Sequence, residues 1–443
     1  MTAEIAILNK SAVVLATDSA GTINLGFRAQ IHNSTDKLFM LSKKDPVGIM
    51  IYQNLSFAGV PFETIIKLYR KKLGNVRFDT LKEYSDDFFK FLISYFKGNE
   101  ENQMVDIINK SSNRIKSVYN FDSSSCEGII SFKEFLDKEG DFPDESIMPK
   151  FFEYRIDEQI KKLEKMIYHS SDIYPSDLIE EIQSVYHDTF KDIISSLKNP
   201  LNFESLLTET SEEKLLILCS LSLFESFSGI VIAGFGKNDI FPSLVSTTLY
   251  SIYNNKLYMN ENISFNITEK KNAKIIPFAQ TDMVETFLHG VSKSFQKQVA
   301  RFIKEKIKIY PEIMNSSFKT DEFDGNIVNK LNDVKQEIEE NFNNHYNELT
   351  EEYEKLIKKG IGKHINPILH DVINLPKNEM AVLAESLVHL ISLKRKFSLD
   401  QDETVGGDID VAIISKGDGF IWAKRKHYFD PELNHHYVNN YEK

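Results

Sequence analysis

The sequence predicts an α+β layered protein, antiparallel sheets covered by helices, and three observations carry that expectation. Short apolar runs bounded by polar turn formers crowd the first 52 residues, the pattern of strands buried on both faces. A helix pattern follows at once, and strands then helices return after residue 226. The connections are mostly of hairpin length, which suits antiparallel pairing, whereas parallel strands need a crossover of about a dozen residues or more.

Ile5–Leu8 and Ala12–Ala16 read as two strands joined by the turn Asn9-Lys10-Ser11, and Leu38–Leu41 and Val47–Tyr52 repeat the pattern. Pro61 opens a helix at its first turn, where a missing N–H is harmless, with Phe62, Ile65, Ile66 and Tyr69 at helical spacing. Residues 1–72 form the first part of a core. From 73 to 225 helical patterns rich in Phe, Tyr, Lys, Asp and Glu dominate, broken by loops at Ser123–Cys126 and Asp141–Pro143, and this stretch reads as a helical insertion. Gly229–Gly236 and Leu244–Tyr253 read as strands and Thr281–Ile309 as a helix, so 226–300 is a second part of the core. Within 301–375, Val328, Leu331, Val334, Ile338, Phe342, Tyr346, Leu349, Tyr353 and Leu356 step by threes and fours, the apolar seam of a long helix in a second insertion. The last part, 376–443, holds a helix at Glu379–Lys394. A hairpin follows, Ile413–Ser415 with Phe420–Ala423, turned by Lys416-Gly417-Asp418-Gly419.

Composition narrows the function classes. A net charge of −12 with no dominant Lys/Arg block excludes a phosphate-binding surface for nucleic acid. The runs Arg70-Lys71-Lys72 and Lys394-Arg395-Lys396 read as solvated helix ends. Two cysteines, Cys126 and Cys219, fit a reducing compartment. No apolar run approaches the roughly 20 residues that cross a bilayer, and the N-terminus lacks a signal-peptide layout. A cytoplasmic protein without membrane contact is expected. His427 and His435-His436 lack spaced metal-ligand partners, and no Gly-rich phosphate motif occurs, so neither a metal nor a cofactor is expected.

The chemistry starts at Thr2, directly before a buried strand. Met1 is readily trimmed when a small side chain follows, and the chain then begins with a free α-amine beside a hydroxyl. A threonine hydroxyl is a weak nucleophile that needs an adjacent base. An α-amine with a pKa of about 7.7–8.0 suits that task near neutral pH. Alone, Thr2 reads as a small residue tolerated at a terminus.

Other segments give it company. Val13-Val14-Leu15-Ala16-Thr17-Asp18-Ser19-Ala20 resembles the "VVLAxDxxA" segment of proteasome β subunits and of their bacterial ATPase-linked relatives, with the family's spacing from Thr2 to Asp18. Asp36-Lys37-Leu38-Phe39 resembles the family's lysine-bearing strand start, after a longer loop at 21–35, and Phe57-Ala58-Gly59 resembles its turn before the first helix. Gly234-Phe235-Gly236 resembles the central "GG" strand, and Pro277–Thr281 stands where the family has "GSG". The run from Lys396 through Asp402 to Gly406-Gly407-Asp408-Ile409-Asp410-Val411-Ala412-Ile413-Ile414 and Lys416-Gly417-Asp418-Gly419-Phe420 resembles its C-terminal run.

The resemblance implies an N-terminal-nucleophile (Ntn) hydrolase: a four-layer αββα sandwich of antiparallel sheets, here carrying two helical insertions. It implies a threonine peptidase acting on peptides or unfolded protein, oligomeric, with an ATPase or adaptor as a separate partner. Thr2 would be the nucleophile, Lys37 the cation that lowers its hydroxyl pKa, and Asp18 the partner of that lysine. Thr281 and Asp402 would orient the terminal amine, and the Gly59 backbone N–H would form the oxyanion hole. Two departures weaken the amine-positioning network. Val405 stands for a serine beside Asp402, and Gln280 and Asp282 flank Thr281 in place of glycines. A non-catalytic scaffold subunit and a non-proteolytic amidase on the same fold are the alternatives.

Overall fold

The computed structural model describes residues 2–24, 29–32, 34–119, 132–137, 147–170, 175–201, 206–317, 325–397 and 406–427. The chain is α+β with antiparallel sheets, and it divides into two compact units.

The first unit comprises Met1–Thr35, Ile267–Ile413 and Trp422–Lys443. Its strands β1 (Ala3–Asn9) and β2 (Ala12–Thr17) pair antiparallel, and β12 (Ala273–Ala279) pairs antiparallel with the other edge of β1. Two further strands complete the sheet order β12-β1-β2-β13-β14, β13 at Asp410–Ser415 and β14 at Gly419–Lys424. β1 and β2 are buried at every position, which explains the apolar runs Ile5–Leu8 and Ala12–Ala16. Asn9 sets the turn between them: its Oδ1 accepts from the Ser11 and Ala12 amides at 2.9 and 3.2 Å. Its Nδ2 donates to the carbonyls of Val372 and Leu375, at 3.0 and 3.1 Å, capping the end of a long helix whose last carbonyls lack helical partners. Ala3, Ile5, Ile7, Val14 and Ala16 form one apolar core with Leu387, Val388 and Ile391 of the helix Lys377–Lys396.

The second unit comprises Asp36–Asn266 and Ile414–Ile421. Its sheet runs β11-β10-β9-β6-β5, from β11 (Lys256–Asn266) and β10 (Ser243–Tyr253) through β9 (Ser228–Gly234) and β6 (Val47–Gln53) to β5 (Leu38–Met40). All these pairs are antiparallel. Gly229 lies opposite Tyr52, and a Cβ there would sit 1.9 Å from the ring, so only glycine fits. Helices α1 (Phe62–Leu73) and α2 (Leu81–Lys97) place Ile65, Ile66, Tyr69, Phe88 and Leu92 in one core with Ile49, Ile51, Ile230 and Ile232. Thr80 and Glu83 close a capping box at the start of α2. Helices α3 (Glu100–Tyr119), α4 (Ile147–Ser170), α5 (Pro175–Leu201) and α6 (Glu209–Ser222) form a separate cluster. It meets the strands through Tyr250, Tyr253 and Tyr258, the last two stacked with centroids 4.1 Å apart.

Several elements differ from the sequence expectation. The stretch read as a loop at 21–35 contains a hairpin, β3 (Gly21–Asn24) with β4 (Ala29–His32). Pro277–Ala279, read as a turn, ends strand β12, which lies at the sheet edge, where a proline costs no ladder hydrogen bond. The helix expected over 281–309 is two, α7 (Asp282–His289) and α8 (Lys293–Ser317), parted where Gly290 takes a φ of +74°. Helix α9 (Gly325–Asn374) is longer than its seam, and α10 (Lys377–Lys396) follows it. No described helix is long and apolar enough to cross a membrane.

Candidate active site

Thr2 is 3 % exposed and immediately precedes β1. Its carbonyl accepts from the Gln280 amide at 3.3 Å, continuing the β1–β12 ladder one step beyond the Ala3↔Ala279 pair. On the other side of β1, Glu4 pairs with Thr17, and the chain leaving β2 brings Asp18 alongside Ala3. Asp18 donates its own amide to the Ala3 carbonyl at 3.1 Å, and its Oδ1 accepts from the Ala3 amide at 3.1 Å. A fully buried carboxylate is thus bonded to the peptide group that joins Thr2 to Ala3.

The second Asp18 oxygen, Oδ2, accepts from the Gly406 amide at 3.0 Å. Ser19 reinforces that junction, donating its amide to the Gly406 carbonyl at 3.2 Å and its hydroxyl to the Asp408 carbonyl at 2.6 Å. The segment ahead of β13 is therefore sewn to the end of β2, and Asp18 is the stitch. Asp402 lies outside the described residues, four positions before Gly406.

Thr281 follows Gln280, one residue beyond the bond to Thr2. It precedes α7 with φ −90° and ψ −22°, and its side chain makes no capping bond to the helix. Just before it, Ala279 is held at φ +59°, a conformation L residues seldom adopt. That reversal turns the chain out of β12 beside Thr2. Thr2, Asp18 and Thr281 thus share one end of the first unit's sheet.

Lys37 and Gly59 belong to the second unit. Lys37 sits immediately before β5, its carbonyl accepting from the Ile51 amide at 2.9 Å, and its side chain is 0 % exposed. This excludes the plain alternative of a solvated lysine in a charged stretch. A cation buried to this degree requires compensating polar partners. Gly59 lies in the two-residue turn between β7 (Ser56–Phe57) and β8 (Val60–Pro61), with Ala58 at φ +46° and Gly59 at φ +76°. Positive φ at both central residues is the type I′ hairpin pattern, which by itself accounts for a glycine.

Two polar groups near Thr2 escaped the sequence reading. Glu4 is 0 % exposed and accepts from the Thr17 hydroxyl at 3.1 Å. Strand alternation puts it on the same face as Thr2, a signal masked by the apolar residues around it. Arg395, read as part of a solvated helix end, is half-buried and donates through Nη2 to the Gln280 side-chain oxygen. Asp410 holds the amide and the ammonium of Lys426 in a buried ion pair. Of the two cysteines, Cys126 lies outside the described residues, and burial pushes the Cys219 thiol up to about 12, which leaves it unreactive. No protein-family model matches this chain, and a search of curated proteins finds no relative.

Proposed function

We propose that this chain is a threonine peptidase of the proteasome β type, an Ntn hydrolase whose nucleophile is Thr2 after removal of Met1. What supports the reading most is the placement of Thr2 and Asp18. The residue that would carry both hydroxyl and α-amine is buried at the mouth of a central strand, and a buried carboxylate holds the peptide group that follows it. The proposed fold is the αββα sandwich of that class, and the substrates are peptides or unfolded protein.

In the proposed reaction the Thr2 Oγ attacks the substrate carbonyl carbon and its proton passes to the α-amine. The tetrahedral intermediate expels the substrate amine, which takes a proton as it leaves, and the acyl group remains as an ester on Oγ. Water, deprotonated by the same α-amine, hydrolyses the ester and restores the free hydroxyl. Lys37 is assigned the role of keeping the hydroxyl pKa low, Thr281 and Asp402 that of orienting the amine, and the Gly59 N–H that of stabilising the oxyanion.

A second reading, a non-catalytic scaffold, draws on the same carboxylate. Both Asp18 oxygens accept backbone amides, as a purely structural aspartate would. Hydrolysis of a panel of fluorogenic peptides separates the two. The peptidase reading expects turnover that falls to background in Thr2→Ala while unfolding is unchanged; equal turnover by the two proteins would remove Thr2 from the chemistry.

A further inference from the structure

We propose that Arg395 is a positioning residue for Thr2: its guanidinium clamps Gln280, and Gln280 in turn holds the carbonyl of Thr2 and the start of β1 in place. The consequence for catalysis rests on the reading of Thr2 as nucleophile, whereas the clamp does not.

The peptide group joining Thr2 to Ala3 is gripped from both sides. Its N–H donates to Asp18 Oδ1 at 3.1 Å, and its carbonyl accepts from the Gln280 amide at 3.3 Å. The Asp18 grip comes directly from the end of β2, whose amide bonds Ala3 in return. The Gln280 grip is less secure. The β1–β12 ladder closes at the Ala3↔Ala279 pair, and Gln280 lies one residue beyond it. Ala279 stands at φ +59°, a conformation that an L residue keeps only where its surroundings impose it. Relaxation there would carry the Gln280 amide away from Thr2, so something has to hold Gln280.

Arg395 supplies that constraint. Helix α10 packs on the sheet face that carries Ala3, Ile5 and Ile7. Leu387, Ile391 and Arg395 step by four along its buried side, so the last turn aims Arg395 at the sheet. Strand alternation would turn Gln280 to the face opposite α10; the reversal at Ala279 breaks it, and the Gln280 Oε1 accepts from Arg395 Nη2 instead. The neighbouring Lys394 and Lys396 stay exposed. Arg395 alone turns inward, although its Nη1 is then buried with no hydrogen-bond partner among the described residues. A long cationic side chain at a helix end ordinarily keeps its head in water, and an unmatched buried donor is unfavourable. The bond to Gln280 is therefore kept against solvation, at the one residue whose amide holds Thr2.

Amide hydrogen exchange of the full chain reads the clamp without any activity. In Arg395→Ala the Gln280 amide should exchange about tenfold faster or more, while the amides of β2 keep their wild-type rates. Lys396→Ala, which removes the same charge from an exposed neighbour, should leave both unchanged. Labelling of Thr2 by a peptide epoxyketone reads the consequence. Arg395→Ala should slow it by about ten- to a hundredfold, with the loss in the limiting rate and not in the half-saturating concentration. Gln280→Ala should do the same, and the double variant should be no slower than either single one, because Arg395 acts through Gln280. An unchanged Gln280 amide in Arg395→Ala overturns the clamp. Faster exchange with undiminished labelling confines Arg395 to structure and overturns its positioning role. A wild-type chain that never labels at Thr2 removes the nucleophile reading instead, and exchange alone then decides the clamp.

Discussion

Asp18 combines two tasks that substitution can separate. Its carboxylate accepts one amide on each oxygen, Ala3 at 3.1 Å and Gly406 at 3.0 Å, with no exposure to solvent. In Asp18→Asn one oxygen becomes an NH2 group, so one buried amide loses its acceptor, a cost of about 1–3 kcal/mol that urea unfolding should register. If Asp18 also serves the chemistry, hydrolysis by the fraction still folded falls as well; intact hydrolysis per folded molecule would confine the residue to structure. Lys37 offers the complementary test. Methionine fills a similar volume but leaves the polar partners of the buried ammonium uncompensated, so Lys37→Met should lower stability, by up to about 3–5 kcal/mol where that partner is an anion. The proposed role also requires peptide turnover to vanish in that variant, and turnover at the wild-type rate would dissociate Lys37 from the mechanism. Thr2, Asp18 and Lys37 could be singled out in the sequence as candidates because each stands at the end of an apolar run. Glu4 and Arg395 could not, since a carboxylate inside a strand and a cation in a basic helix end acquire meaning only from what faces them.

At the scale of elements, the loop before α2 is anchored by a charged cluster that should give the second unit an acid limb. Asp45 is fully enclosed, and burial alone would raise its pKa. The hydrogen bonds from Arg77 and Tyr84 and the Arg77 charge outweigh burial and hold the carboxyl below the ordinary aspartate range, while burial and Asp45 push the Tyr84 phenol up to about 12. A carboxyl whose folded pKa is lowered contributes stability that is complete above the unfolded value of about 3.9 and is lost as pH falls through the folded one. The stability gap between wild type and Asp45→Asn should therefore be constant near neutrality and shrink below about pH 4; a gap independent of pH would mean Asp45 is not ionised there. The elements themselves were legible to differing degrees. β1, β2, β6, β9 and β10 are buried apolar runs and were visible as such. β11 escaped because, as an edge strand with exposed Glu261, Asn262 and Ser264, it lacks both an apolar run and clean alternation. β12 escaped because Pro277 spoke against a strand, which holds for central strands and not for this edge.

For the whole molecule, each unit has its own five-stranded antiparallel sheet and its own apolar core. The helices of 73–225 extend the second unit, and α8 and α9 extend the first. The α+β class followed from the order of apolar runs. The grouping of Thr2, Asp18 and Thr281 at one sheet end depends on register, which no single stretch of sequence encodes. The proposed function depends further on a covalent event, the trimming of Met1, that makes a buried threonine into a terminal one. The direct measurement is mass spectrometry of the purified chain after reaction with a peptide epoxyketone, a probe that engages hydroxyl and α-amine of one residue together. The account expects the adduct on a peptide beginning at Thr2, and no adduct in Thr2→Ala. A folded protein that keeps Met1 throughout, or labelling that persists without the Thr2 hydroxyl, would contradict it.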